Sequence, residues 1–598
     1  MRSASSTLAL TLTLLGGATV LTQAEAQCLP DSDRAAFRAE LISALVASGV
    51  APERLYRRAY DRLGFGPSPA RPGAMPPTTG NALEALADRL MAELGEASTV
   101  DTAADRYLAG LTRSGTVAGT EGLSPLPFHH ARLSMAESFT ELTSFGDRSR
   151  ALRAQALALP AGPERTALMA RAQRLGKAGL RTRSDQTRTA SARGLYHAMA
   201  SDNGAIGALL TEFWFNHFNV DASKSYWATS DYRNTLQRGM CGDFRSLLGS
   251  VAKHPAMLVY LDNHRSRRGA INENFARELM ELHTFGDDRL QNYTQADVVG
   301  VARALTGWTQ EHVVRGNLVS PEFQFLSGAH DRAALTLFAS APTGVALSLP
   351  EAARGAGIER GEALLDYLAA HAATRRNICS KLALRIVGST SRGIVDGCVA
   401  RWGTRGDLAA IYRYFITRPE LWRASPPGKQ KNPLELWTSA IRALPLPAGR
   451  VTEEWINDAL TQVRRLGIPV AQFAVPTGYT DDAVWVSPGL LIQWNQTLFG
   501  YLYTDGLTML DGTTTLTGYG VEAPFRTRVT AAGTNVAALR AVGSSIARDL
   551  LRYPDLVPSV DTAYRSLLEP DIRLANESTM PVRAYIHALL AQPAFLTK

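Results

Sequence analysis

The chain is 598 residues long, 45% hydrophobic and 20% charged, a globular composition with length for roughly two to four domains' worth of buried core. Its formal net charge is +8, from 63 Lys and Arg against 55 Asp and Glu, and the arginines are scattered rather than bunched, so no nucleic-acid partner is expected. Beyond the leader, no run of about eighteen uninterrupted apolar residues occurs, so no transmembrane helix is expected in the mature chain.

Residues 1–26 read as a secretory signal peptide. Arg2 precedes an apolar run from Leu8 to Leu21, and Ala24-Glu25-Ala26 supplies the small residues of a cleavage site. The expected destination is periplasmic or extracellular. Cys28 lacks the context of a lipoprotein acceptor. The remaining cysteines are Cys241, Cys379 and Cys398, with no zinc or haem spacing. In an oxidising compartment they read as structural disulfides or buried thiols, and Cys379 with Cys398 is the first pairing to test.

Residues 27–200 form an expected N-terminal helical region, interrupted by a Pro- and Gly-rich loop from Gly66 to Gly80. His129 and His130 are adjacent. On a regular helix or strand such neighbours point apart, so they are not expected to act as a ligand pair.

Residues 201–598 form the expected main helical body, with a central motif region at 204–335 and a C-terminal helical part at 360–598. In GAIGALLTEFWFNHFNV, Leu210, Phe213, Trp214 and His217 share one helical face, so His217 points inward. Asp262 and Asn263 end the next helical stretch. The segment Ile271–Trp308 then holds two helices. Asn272 or Asn274 caps the first, whose core stripe is Phe275, Leu279 and Leu282, and Arg277 is placed to pair with Glu281. Glu278 faces away from His283, about 140° round the helix. Gly286 ends this helix, and Thr294 with Asp297 caps the second as a capping box. Gly300, Ala304 and Gly307 would let another helix approach closely, and Trp308 closes the segment. His330 and Asp331 follow in a loop or strand end. The fold class is therefore all-α, with a short irregular or β segment near 470–530, where GTTTLTG reads as a hairpin or polar loop.

The blocks FWFNHFNV, FRSLLGSVAKHPAMLVYLDN, NENFARELMELHTFG and YTQADVVGVARALTGW, with FQF and His330-Asp331 after them, resemble a bacterial family known as domain of unknown function 1800. The resemblance runs from about Gly204 to the C-terminus. It implies an exported, mostly helical protein, with a co-exported sulfatase-like protein as a partner by analogy, and it supplies no reaction. The family pattern carries Gly and Lys shortly after the His-Asp pair; here Arg332 stands there without a Lys.

Two metal readings follow from the residue types. His217, His283, His330 and Asp331, with Glu278 as a further candidate, are the donors for a divalent transition metal and the candidate catalytic groups. Asp262, Asn263, Asn272, Glu273 and Asn274 are an oxygen-rich alternative suited to calcium. Against both stands mutual satisfaction, in which these polar groups cap helices and bond one another. The function expected is an exported metal-binding or metal-dependent protein, with a non-catalytic envelope or extracellular binding protein as the alternative. Neither a nucleophile elbow nor a phosphate-binding glycine loop is present.

Overall fold

The computed structural model describes residues 27–503 apart from short stretches, chiefly 67–76, 113–123, 287–291, 444–450 and 481–484, and a few positions between 541 and 597. The expected signal peptide, the GTTTLTG turn and most of the expected terminal helices lie outside the described residues; a short helix at Pro593–Leu596 is within them.

The architecture is predominantly helical, as composition and periodicity imply. Its central wall is the helix Ala205–His217, in which every residue except Asn216 is buried. A helix buried on all sides has no solvent face to keep, so it settles between two bodies of core. Ile206, Leu210, Phe213 and Trp214 enter one hydrophobic cluster, while Ala208 and Leu209 enter the other. Both clusters draw on residues before and after position 200.

Two long helices, Met135–Ala158 and Pro163–Ala200, pack on each other through Phe145, Leu175 and Ala178. The first starts at a capping box, where the Ser134 hydroxyl accepts from Glu137 N and Glu137 accepts from Ser134 N at 2.8 Å. Two orphan amides are satisfied there, which fixes where the preceding loop ends.

Among the described residues the strands lie at 308–349. Strand β1 (Trp308–Arg315) pairs antiparallel with β2 (Leu318–Phe325), Trp308 opposite Phe325 and Arg315 opposite Leu318. Gly316-Asn317 makes the two-residue turn, and Gly316 has φ +60°, the left-handed conformation such turns demand. Trp308 thus opens a strand. A second small pair joins β3 (Leu335–Leu337) to β4 (Leu347–Leu349). The described part of 470–487 is irregular, and a helix spans Pro488–Tyr503.

Several local expectations hold and two are corrected. Thr294 and Asp297 form their capping box at the start of the helix Gln295–Ala304. Asn272 Oδ1 accepts from Asn274 N at 2.9 Å at the start of the helix Asn274–Glu281. Gly300 faces no helix: the Leu337 side chain of β3 fills the space, so close that a Cβ on residue 300 would sit 2.3 Å from it. Arg277 turns back to Glu273 at 3.5 Å instead of forward to Glu281, because Gln295 holds both, accepting from Arg277 and donating to Glu273 at 2.8 Å.

Disulfides join Cys379 to Cys398, the pairing expected first, and Cys28 to Cys241. No helix among the described residues is long and apolar enough to cross a membrane.

Candidate functional site

His217 ends the central helix and is 6% exposed. Its Nε2 lies 3.2 Å from the His283 carbonyl, which only accepts, so Nε2 carries the proton. Nδ1 is then a bare acceptor, and Lys381 Nζ donates to it at 3.3 Å and to the Leu282 carbonyl at 3.3 Å. Lys381 comes from the helix Ala372–Ile386. One turn earlier on that helix, Asn377 donates to the Thr284 carbonyl at 2.8 Å. Two side chains four residues apart thus seat this helix on the carbonyls that follow the helix Asn274–Glu281.

The His283 ring is 1% exposed, packs edge-on to Phe218 at 5.2 Å, and has no partner for either ring nitrogen. The centre is consequently rich in amine and imidazole and poor in carboxylate. Burial, followed by the Lys381 charge, pushes His283 down to about 3 and holds His217 well below the ordinary imidazole range. Burial also lowers Lys381 to about 8. Glu278 is half-buried, and desolvation with Glu281 beside it raises its carboxyl above the usual value.

His330 and Asp331 belong to a different polar network. His330 is fully buried; its Nδ1 donates to the Thr306 carbonyl at 2.8 Å, and Arg360 approaches Nε2 at 3.4 Å. Asp331 receives Arg303 through Nε at 2.7 Å, which holds its carboxyl below the usual range. Arg303 and Arg360, not Arg332, are the cations at this place. Gly357, at φ +129°, lets the His330 ring lie against the backbone, where a Cβ would come within 2.3 Å. The structure brings His217 and His283 together, with ring centroids 6.3 Å apart, while His330 and Asp331 belong to the separate network with Thr306, Arg303 and Arg360.

The oxygen-rich set lies where the helix Pro255–Tyr260 ends against the start of the helix Asn274–Glu281, and its side chains are engaged with other groups. Asp262, in the left-handed region at φ 59°, pairs with Lys224 at 2.9 Å. Asn263 donates to the Trp308 carbonyl at 3.0 Å, Asn272 to that of Asp262 at 3.3 Å, and Asn274 to that of Leu261 at 3.5 Å. Glu273 is held by Arg277 and Gln295.

Among the described residues, one group of three donors lies close enough to share an ion: His129, His130 and Glu141, whose ligand atoms fall within 4.8 Å of one another. The adjacent histidines do not diverge: on the 3-10 turn His129–Ala131 their ring centroids are 4.0 Å apart. His129 Nδ1 lies 2.8 Å from the Leu126 carbonyl and Nε2 lies 2.8 Å from Glu141 Oε2. His130 is 2% exposed; Ser138 is 3.4 Å from its Nδ1, and its Nε2 has no partner. His129 and Glu141 retain 18% and 25% of their side-chain surface, so the group is open on that side. The adjacent histidine pair was the only signal in sequence; Glu141 gave none, and neither did Lys381, which is 164 residues from His217.

A cavity of about 740 Å³ lies elsewhere, along the helices Pro163–Ala200 and Glu453–Arg465, and no histidine lines it. No curated protein and no solved structure matches the chain. Residues 58–597 match the model of the family described as "Protein of unknown function (DUF1800)", a span reaching well N-terminal of the motif blocks, and the chain belongs to that family.

Proposed function

We propose that this is an exported protein that holds a divalent transition metal between His129, His130 and Glu141, and that the metal activates water for hydrolysis. The observation that carries the reading is the tautomer of His129. Its Nδ1 faces a carbonyl and must donate, so in a neutral ring the Nε2 lone pair points at a carboxylate oxygen 2.8 Å away. Two acceptors at that distance need a cation between or beside them, either a proton or a metal ion. The orphaned Nε2 of His130 favours a metal, since a proton on His129 leaves that buried nitrogen unexplained. Two imidazoles and a carboxylate suit zinc or iron, and three protein donors leave a coordination position for water. The Leu126 carbonyl is the outer partner that commonly orients a ligating histidine. The two disulfides support the exported part of the reading.

The test is elemental analysis of the mature protein, purified without chelators, beside His130→Ala and Glu141→Gln. The expected result is about one metal ion per chain, reduced at least ~10-fold in each variant, as loss of a ligand in a three-donor site implies. Metal-free protein that gains no thermal stability from added zinc, iron or manganese would sink the reading.

A further inference from the structure

The cavity beside the Pro163–Ala200 helix has a lining that sorts its ligand by charge and by hydrogen-bonding type. Three arginines line it, and among the described residues in its wall there is no aspartate or glutamate. Arg188 is already committed, to Asp185 and to Glu453 at 3.3 Å. Arg183 and Arg464 are both exposed and bond only neutral groups: Arg183 donates to the Ser223 carbonyl at 3.1 Å and lies 4.5 Å over the Tyr226 ring, and Arg464 donates to the Gln472 side chain at 3.0 Å. Each guanidinium therefore keeps its charge and several N–H groups for a visitor. Between the arginines the wall consists of hydroxyl and amide side chains, with the buried Ser191 accepting from Gln472 at 2.8 Å at the floor. Aliphatic Leu180, Leu460 and Val470 complete it, with no aromatic ring for a base to stack on.

We infer that this cavity binds an acidic saccharide, with its anionic group at Arg183 and Arg464 and its hydroxyls on the Ser, Thr, Asn and Gln side chains. The hydroxyls of Thr187, Ser191, Ser223 and Thr461 already donate to Arg183, Val470, Asp221 and Asn457, so they offer acceptor oxygens to sugar hydroxyls. The Ser184 and Asn457 side chains can both donate and accept, whereas an inorganic anion needs donors alone. Planar guanidinium forks match carboxylate and sulfate-ester oxygens in pairs. The volume falls in the ~300–1,000 Å³ range of small-ligand sites, room for a short oligosaccharide. This inference is independent of the metal reading.

Titration calorimetry of the mature protein with a galacturonate trisaccharide, its methyl-esterified neutral form, a sulfated trisaccharide and inorganic sulfate tests it. The expected result is binding of an acidic trisaccharide at least ~10-fold tighter than the neutral form, the worth of one or two charge-assisted hydrogen bonds. Carboxylated and sulfated probes tell which acid group the arginines take. Arg464→Met, and Arg183→Met with Arg464→Met, should abolish the acidic preference while leaving weak neutral binding and the thermal midpoint unchanged. Absence of binding by every acidic saccharide at millimolar concentration overturns the inference. So does equal binding of acidic and neutral forms, or inorganic sulfate binding as tightly as the trisaccharides.

Discussion

At the scale of single residues, the central cluster is defined by what it lacks. Lys381 has a neutral imidazole and a carbonyl as hydrogen-bond partners, and His283 has none for its ring. Burial disfavours the protonated cation of both groups, so both make stability depend on pH with the same sign. His283 is held near 3, so between its ordinary value and about 3 the unfolded chain takes up a proton that the folded chain refuses, and stability falls as pH drops through that window. Lys381 is held near 8, so between about 8 and its ordinary value the unfolded chain keeps a proton that the folded chain has lost, and stability rises with pH there. Each slope is at most about 1.4 kcal/mol per pH unit. Lys381→Met should therefore be at least as stable as the parent at pH 7 and should flatten the rise between pH 8 and 10.5, measured by urea unfolding. Parallel profiles for parent and variant would show that Lys381 bears no desolvation cost. Helical spacing alone placed His217 inward, because its neighbours on that face are Leu, Phe and Trp. Its lysine partner was illegible because contacts between distant segments leave no periodicity to read.

At the scale of elements, caps and turns were legible where the chemistry is local. Thr294 with Asp297 satisfies amides three residues apart, so the pairing is visible in the sequence itself. The hairpin β1–β2 was missed although Gly316-Asn317 lies between Val313-Val314 and Leu318-Val319, because helical periodicity before it masked a two-residue signal. Gly300 shows why small residues on a helix do not name what comes near. In an exposed helix, Gly→Ala stabilises by about 1 kcal/mol. Here the added methyl meets Leu337, whose β3 strand is anchored by Phe338 N donating to Asp297 Oδ1 at 2.6 Å. Gly300→Ala is expected to destabilise by about 1–3 kcal/mol, the usual cost of overpacking, and Leu337→Ala in the same chain should recover part of it. A Gly300→Ala protein as stable as the parent in urea would mean that Leu337 moves aside freely.

For the whole molecule, the consequential link is the one farthest apart in sequence. Cys379 and Cys398 are 19 residues apart and could be paired on paper, whereas Cys28 and Cys241 are separated by 213 and gave no such hint. Cys28 also lies before residue 58, where the family match begins. The disulfide therefore fastens an N-terminal helix, Asp31–Ala47, to the family body, helped by Asp33 with Arg413 at 2.8 Å and Thr417 donating to Glu40 at 2.9 Å. Loop-closure entropy assigns about 5 kcal/mol to the longer loop and about 3 kcal/mol to the shorter. The double variant Cys28→Ser, Cys241→Ser should accordingly lose more stability in urea than Cys379→Ser, Cys398→Ser. It should also expose the 31–47 helix to proteolysis ahead of the rest, because without the covalent link this terminal helix keeps only one apolar face and a few polar contacts, and such elements open locally first. If instead the short-loop variant is the weaker of the two, the N-terminal helix is held by its apolar face on the core through Phe37, Leu41 and Leu45, and the covalent link is secondary.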